Sequence, residues 1–250
     1  MQPELYNLIM EVPNFRLACA TCHTNLSGKL KAPCLYRSGE LALISDKNAI
    51  LIKELGIDCN IDLRSCQEIE KKYPDKIIKN GVYWKHFPLK TKNEIINKIF
   101  PDFKDYSYYY CDLLERNKDI IVSLFYFIAT SEFKRIIVSC YAGKDRTGII
   151  IFLIMIVLGV DKELIIEDFV LSKKFLAKDI EYFKENWKKR GINKEEYLKR
   201  INPDHKTLRE VINYLNSNYG SSILYLNKIG VPENILIKIR KKFSSYTSKL

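Results

Sequence analysis

Short apolar runs alternate with longer amphipathic stretches along this chain, and their order sets out an architecture. Ile57 to Leu63, Val82 to Leu89 and Arg135-Ile-Ile-Val-Ser139 are brief, rich in Ile, Val and aromatic residues, and read as strands. Ile149 to Leu158 is apolar on every side, which predicts a helix buried all round. Tyr106-Ser-Tyr-Tyr-Tyr110 begins another helix, and Ile120 to Ala129 continues helical packing. The aromatics there read as core and cover rather than as a platform for stacking bases. Asp161 caps a helix through Asp168, because an Asp side chain accepts from the open N–H groups of a first turn. Helices follow at Lys173 to Lys189 and His205 to Asn216; in the second, Leu208, Val211, Ile212 and Leu215 share one face. Pro232-Glu233 starts a final helix. Strands followed by helices predict an α/β fold, with a mostly parallel central sheet flanked by helices. No repeat or low-complexity linker divides residues 1–250, so they read as one domain, with the helices of 161–243 packed on what precedes them.

One junction in this pattern carries chemistry. Between the strand ending at Ser139 and the apolar helix stands Cys140-Tyr-Ala-Gly-Lys-Asp-Arg146-Thr147-Gly148. A strand, a tight loop and a helix start aim several N–H groups at one point. Helix N-termini carry unpaired donors and partial positive charge, so that point suits phosphate. Cys140 sits at the loop entrance, where the same field favours thiolate; a thiol's pKa of about 8.5 falls to about 3.5–7.5 at such sites. Arg146 offers a planar fork for two phosphate oxygens. The N–H groups of Tyr141, Ala142, Gly143, Lys144, Asp145 and Arg146 complete the cradle. These residue types predict in-line attack of Cys140 on the phosphorus of a monoester, a phosphocysteine intermediate, and its hydrolysis by water. Thr147 is placed to hydrogen-bond the sulfur as it leaves. No metal or cofactor is expected, because the cradle and Arg146 supply the positive field. A carboxylic acid must protonate the leaving oxygen. Asp145, inside the loop, and Asp62, at the C-terminal end of a predicted neighbouring strand, are the candidates. The reading leans to Asp145 as acid and to Asp62 as an organiser bonded to Arg16, Arg37 or loop N–H groups. Arg64 is a candidate for binding substrate phosphate or for pairing with a nearby carboxylate. Lys144 adds a charge expected to be mobile, either reaching a second phosphate on the substrate or simply solvated.

The loop resembles that of the cysteine-dependent tyrosine phosphatase superfamily, in particular its atypical, largely bacterial and fungal branch with a Gly-Lys-Asp-Arg-Thr-Gly loop. Asn14-Phe-Arg16, Leu35-Tyr-Arg-Ser-Gly39 and Leu55-Gly-Ile-Asp-Cys-Asn-Ile-Asp-Leu-Arg-Ser65 fit the N-terminal half of that branch in order. Leu158-Gly-Val-Asp161, Asp168-Phe-Val-Leu-Ser172 and Tyr219-Gly-Ser-Ser222 fit its C-terminal half. The resemblance implies a three-layer tyrosine-phosphatase-like fold and activity on phosphotyrosine, with dual-specificity and phosphoinositide substrates also found in the branch. It implies the same roles for the loop residues, and points through Lys144 to lipid headgroups. Two departures stand out: Ser139 replaces the histidine that usually precedes the nucleophile, and Leu17-Ala-Cys-Ala20 replaces an Asp followed by a Gly-Gly pair. Both leave room for a further reading, a silent phosphate-binding module.

Composition narrows the setting. Hydrophobic residues make up 47% and charged residues 28%, as in an ordinary globular protein. The net charge of +11 suits an anionic partner: a phosphorylated substrate, an acidic membrane surface or nucleic acid. The lysines are dispersed rather than gathered on one stretch, and no nucleic-acid partner is expected. The run Gly148 to Val160 falls well short of the ~20 residues needed to cross a bilayer. Met1-Gln-Pro-Glu-Leu has no basic start followed by an apolar core, and the seven cysteines are odd in number and scattered. A cytoplasmic, reducing setting is therefore expected, with export lacking a cleaved signal left open. Cys19-Ala-Thr-Cys22-His23 matches a haem-attachment or metal-pair spacing, but no second ligand pair completes it, and loop cysteines are the expectation. Lys92 to Asp105 is expected to cover the pocket.

Overall fold

Ile136, Ile137 and Val138 are buried on both sides of their strand, which is the signature of a strand inside a parallel sheet covered by helices on both faces. A computed structural model describes the protein over residues 11–18, 29–30, 35–91, 106–189, 191–200 and 204–245. In chain order the strands are β1 (Arg16–Leu17), β2 (Lys29–Leu30), β3 (Leu35–Ser38), β4 (Cys59–Asp62), β5 (Tyr83–His86), β6 (Ile136–Ser139) and β7 (Ser244–Ser245). The helices are α1 (Asp46–Glu54), α2 (Cys66–Lys71), α3 (Asp75–Lys79), α4 (Tyr106–Arg116), α5 (Lys118–Thr130) and α6 (Asp145–Val157). They continue as α7 (Lys162–Lys178), α8 (Lys184–Lys189), α9 (Lys194–Arg200), α10 (His205–Tyr219), α11 (Ser222–Ile229) and α12 (Glu233–Phe243).

The main sheet has the order β1-β3-β6-β4-β5; β1 is antiparallel and the other four strands are mutually parallel. The registers align Ser38, Ser139, Asp62 and His86 across the C-terminal edge. In parallel α/β sheets ligands gather at that edge, and Cys140 is the next residue after it on a central strand. Alternation along β6 sends Ile136 and Val138 into one core and Ile137 into the other. The first core also holds α4, α5, α6 and the apolar faces of α10 to α12; the second is covered by α1 and α3. The chain is thus the three-layer α/β arrangement expected from its sequence. A two-stranded antiparallel pair, β2 with β7, lies apart from the main sheet.

Element boundaries differ from the sequence reading in informative places. The apolar helix begins at Asp145 rather than Ile149, so Asp145, Arg146 and Thr147 form its first turn. The helix capped by Asp161 runs through Asp168 to Lys178, because nothing between those residues breaks it. The helix expected over Lys173 to Lys189 is therefore two pieces, the end of α7 and α8, joined by a 3₁₀ turn at Ile180–Phe183. The cover expected over Lys92 to Asp105, and the Cys19-Cys22-His23 spacing, lie outside the described residues.

Candidate active site

Gly143 sets the shape of the loop. Its φ of +66° is a left-handed conformation, and a Cβ there would meet the Ser38 carbonyl at 2.4 Å. Only glycine allows the loop to fold back this closely on the end of β3. The Gly143 carbonyl is then held from two directions. Asn14 donates its side-chain amide to it at 2.7 Å, and Arg37 donates at 2.9 Å. Asn14 is itself left-handed, with φ of +57°, a conformation that asparagine tolerates better than most residues. Asp168 on α7 completes the buttress. It accepts from Arg37 at 2.6 Å, and Arg16 donates to its backbone carbonyl at 2.8 Å and to the Ser172 hydroxyl at 3.0 Å. Burial, with Arg37 adding like charge, pulls the Arg16 pKa down to about 9 against the opposing pull of Asp168. Arg16, Arg37 and Asp168 are all buried, so the pairs work in a low-dielectric setting. Asn14, Arg16, Arg37, Asp168 and Ser172 are the missing function of the motifs on which the family resemblance rests; the sequence displayed them without showing what they hold.

Within the loop, Cys140 is buried at the end of β6. Lys144 caps α6 without a side-chain cap bond, so the amides of the first turn are donors for an anion. Arg146, on that first turn, makes a two-pronged ion pair with Glu68 of α2, at 2.6 Å and 2.8 Å, and donates to the Leu63 carbonyl at 3.3 Å. Burial alone would lower the Arg146 pKa; the bonds to Glu68 and its charge outweigh it and push it up. Burial would likewise raise Glu68, but the Arg146 fork and Ser65 hold it down to about 2. Glu68 also closes a capping box with Ser65 at the start of α2, so one carboxylate fixes a helix terminus and aims the arginine. Sequence reasoning missed Glu68. The Ser65-x-x-Glu68 spacing was visible as a capping box, but its partner lies in a distant segment.

Asp145 accepts from the Tyr110 hydroxyl at 2.5 Å and pairs with Lys144 at 2.8 Å. Burial would raise its pKa; Lys144, Tyr110 and Arg146 together bring it below the usual carboxylate value. Lys144 is buried, not mobile or solvated as the sequence led us to expect. The Asp145 carboxylate and the Tyr106 ring, 4.9 Å from the ammonium, draw it inward. Thr147 Oγ1 is buried and has no hydrogen-bond partner among the described residues, so its donor remains free for the neighbouring site.

Asp62 is buried, and both its oxygens accept from Arg64, at 2.7–3.1 Å; Trp84 adds a donor at 3.3 Å. Arg16 and Arg37, expected as Asp62 partners, go to Asp168 instead, because β1 and β3 present them on the α7 side of the loop. Arg64 is wholly buried, between Asp62 and Glu40, in the ion-pair arrangement rather than at an open surface. Glu40 also accepts from Lys72 and Tyr182 and anchors the rim near Tyr141. Tyr141 and Ala142 turn their side chains into a small core with Leu176, Ile180 and Phe183, leaving their backbone to the loop. Ser139, in the position of the family's usual histidine, accepts from the Asn60 amide at 2.8 Å. Among the described residues no group of three His, Cys, Asp or Glu could hold a metal ion, and no helix is long and apolar enough to cross a membrane.

A cysteine at the C-terminal edge of a parallel sheet, an arginine six positions later on an open helix start, and a carboxylate between them define a cysteine-dependent phosphatase. The comparisons agree with that class. The sequence profile of the tyrosine phosphatase family matches residues 8–245, and the chain belongs to that family. It is also 25% identical over 230 residues to a tyrosine-protein phosphatase of Nostoc commune, covering 89% of this chain and 78% of the relative. The protein is an enzyme of the protein-tyrosine-phosphatase type.

Proposed function

We propose that the protein hydrolyses phosphotyrosine monoesters through a phosphocysteine intermediate formed on Cys140. The observation that carries this reading is the Arg146 fork, held by Glu68 on the uncapped first turn of the helix that follows Cys140. In the first step Cys140 Sγ bonds to phosphorus, the bond to the leaving oxygen breaks, and Asp145 gives that oxygen its proton. The Arg146 guanidinium and the loop amides take up the charge on the three equatorial oxygens. In the second step water attacks phosphorus, the S–P bond breaks, and Asp145 accepts the proton. Thr147 donates to the departing sulfur. Asp62 keeps the organising role, locked to Arg64. A bound phosphate dianion adds negative charge beside Asp145, which raises the Asp145 pKa and lets it carry the proton that the first step needs.

Phosphotyrosine is preferred over phosphoinositide because Lys144 is already paired and covered, which leaves a second phosphate without the mobile cation it would need. The test is a panel: 4-nitrophenyl phosphate, phosphotyrosine and phosphothreonine peptides, and phosphoinositides in vesicles, each with the wild type and Cys140→Ser. Turnover of aryl phosphate and phosphotyrosine peptide, lost in Cys140→Ser, is expected. Faster turnover of the lipids than of the peptides would replace this reading with a lipid phosphatase. Absence of all turnover with retained vanadate binding would leave a phosphate-binding module.

A further inference from the structure

Helix α4 presents two tyrosines one turn apart to two consecutive residues of the phosphate loop. Residues four apart on a helix share a face. Tyr106 places its ring 4.9 Å from the Lys144 ammonium, and Tyr110 donates its hydroxyl to Asp145 Oδ1 at 2.5 Å. Lys144 reaches the same oxygen, at 2.8 Å. Among the described residues no hydrogen bond reaches Oδ2 of Asp145, and its side chain keeps 29% of its exposure. The two oxygens of one carboxylate are therefore unlike: Oδ1 is clamped twice, and Oδ2 is left to exchange a proton.

Tyr110 is fixed well enough to act as a clamp. It is buried in the main core, edge-on to Phe169 of α7 at 5.6 Å and 86°, with the Tyr109 ring 5.3 Å away. Its position comes from a rigid helix and not from the loop it serves. The groups that face Asp145 are Lys144 and Arg146 from its own element and Tyr109 and Tyr110 from α4, with Cys140 and Glu68 beyond Tyr109.

We propose that Tyr110 is a positioning residue for the reaction: with Lys144 it pins Asp145 Oδ1, so that Oδ2 is the oxygen that exchanges the proton with the leaving group and then with water. This rests on the reading of Asp145 as the acid. A hydroxyl that donates to a carboxylate favours the ionised form, so removing it raises the pKa of the acid. The acid then stays protonated to higher pH, and the basic limb of the kcat profile moves up.

The experiment compares Tyr110→Phe, Asp145→Asn and the double variant, with kcat measured against pH on 4-nitrophenyl phosphate and phenyl phosphate. The first substrate has a good leaving group and needs the acid less. Tyr110→Phe is expected to move the basic limb up by about one pH unit. It is expected to raise the ratio of kcat on 4-nitrophenyl phosphate to kcat on phenyl phosphate about tenfold, because proton transfer to the poor leaving group loses its orientation. The double variant is expected to match Asp145→Asn alone. If Asp145→Asn abolishes the limb while Tyr110→Phe leaves both limb and ratio in place, the positioning role is wrong and the acid assignment stands. If Asp145→Asn keeps the limb, the acid assignment itself falls, and this inference with it. Should the loss of the hydroxyl disturb folding, a ring-fluorinated tyrosine at position 110 keeps the shape and donates more strongly. It is expected to move the limb down, and an unmoved limb there overturns the proposal.

Discussion

In the proposed mechanism Glu68 sets how firmly Arg146 can hold the phosphate. Its two bonds hold the guanidinium plane, and a misaligned donor loses most of its value in a transition state. Glu68→Gln is expected to lower kcat/KM on 4-nitrophenyl phosphate by about tenfold to a hundredfold. A variant with unchanged kcat/KM would show that the ion pair is dispensable. Glu68 also links stability to pH. Its pKa in the folded protein is depressed from the ordinary 4.5 to about 2, so its contribution is present above the unfolded value and lost as pH falls through the folded one. Between pH ~4.5 and ~2 the urea midpoint of the wild type is expected to fall more steeply than that of Glu68→Gln; parallel slopes would contradict the linkage. Cys140, Gly143, Asp145 and Arg146 were legible in the sequence because they share one short loop; what holds them was not. Glu68 lies 78 positions from Arg146, Tyr110 lies 35 from Asp145, and Asp168 lies 131 from Arg37. Spacing carries no signal for such contacts. Lys144, expected mobile or solvated, is instead drawn into the core by the adjacent Asp145 and the Tyr106 ring, and Arg64 takes the second of its two expected roles, paired with Asp62 and Glu40.

At the scale of elements, the loop stands where it does because β1, β3 and α7 hold its back. Asp168→Ala on α7 would leave the buried Arg16 and Arg37 without their carboxylate, and is expected to cost roughly 3–5 kcal/mol by urea unfolding. A loss below about 1 kcal/mol would mean that the buttress is not an interdependent unit. Gly143→Ala forces a Cβ against the Ser38 carbonyl at a positive φ, so the loop must open and phosphate affinity should fall with it. Unchanged inhibition by vanadate in that variant would refute the tight turn. The strands and the long helices were legible because burial on two faces and an all-round apolar run leave few alternatives. The start of α6 was not, because Asp145, Arg146 and Thr147 are polar; their helical turn is held by Tyr110 on Asp145 and Glu68 on Arg146, not by an apolar pattern. Helix α7 continues past Asp168 because nothing there breaks it, and Leu176 near its end packs with Tyr141 and Ala142 of the loop.

For the whole molecule, the charge of +11 favours approach of dianionic substrates from any side. Dispersed surface charge acts over a Debye length of about 10 Å at 0.1 M salt, so kcat/KM should fall as ionic strength rises while kcat changes little. Equal loss in both would place the salt effect in the chemistry instead. The three-layer fold brings β6, β4 and α6 to one edge, and that arrangement was readable from the order of strands and helices alone. The contacts that tune the edge come from α2, α4 and α7. All of this machinery has purpose only if Cys140 becomes covalently phosphorylated. The direct measurement is acid-quenching of the enzyme during turnover of 4-nitrophenyl phosphate, followed by mass spectrometry of the Cys140 peptide. The account predicts one added phosphoryl group on Cys140 Sγ in wild type, accumulating further in Asp145→Asn with this good leaving group. Turnover with no phosphoryl group on that peptide, or with Cys140→Ser still active, would contradict it.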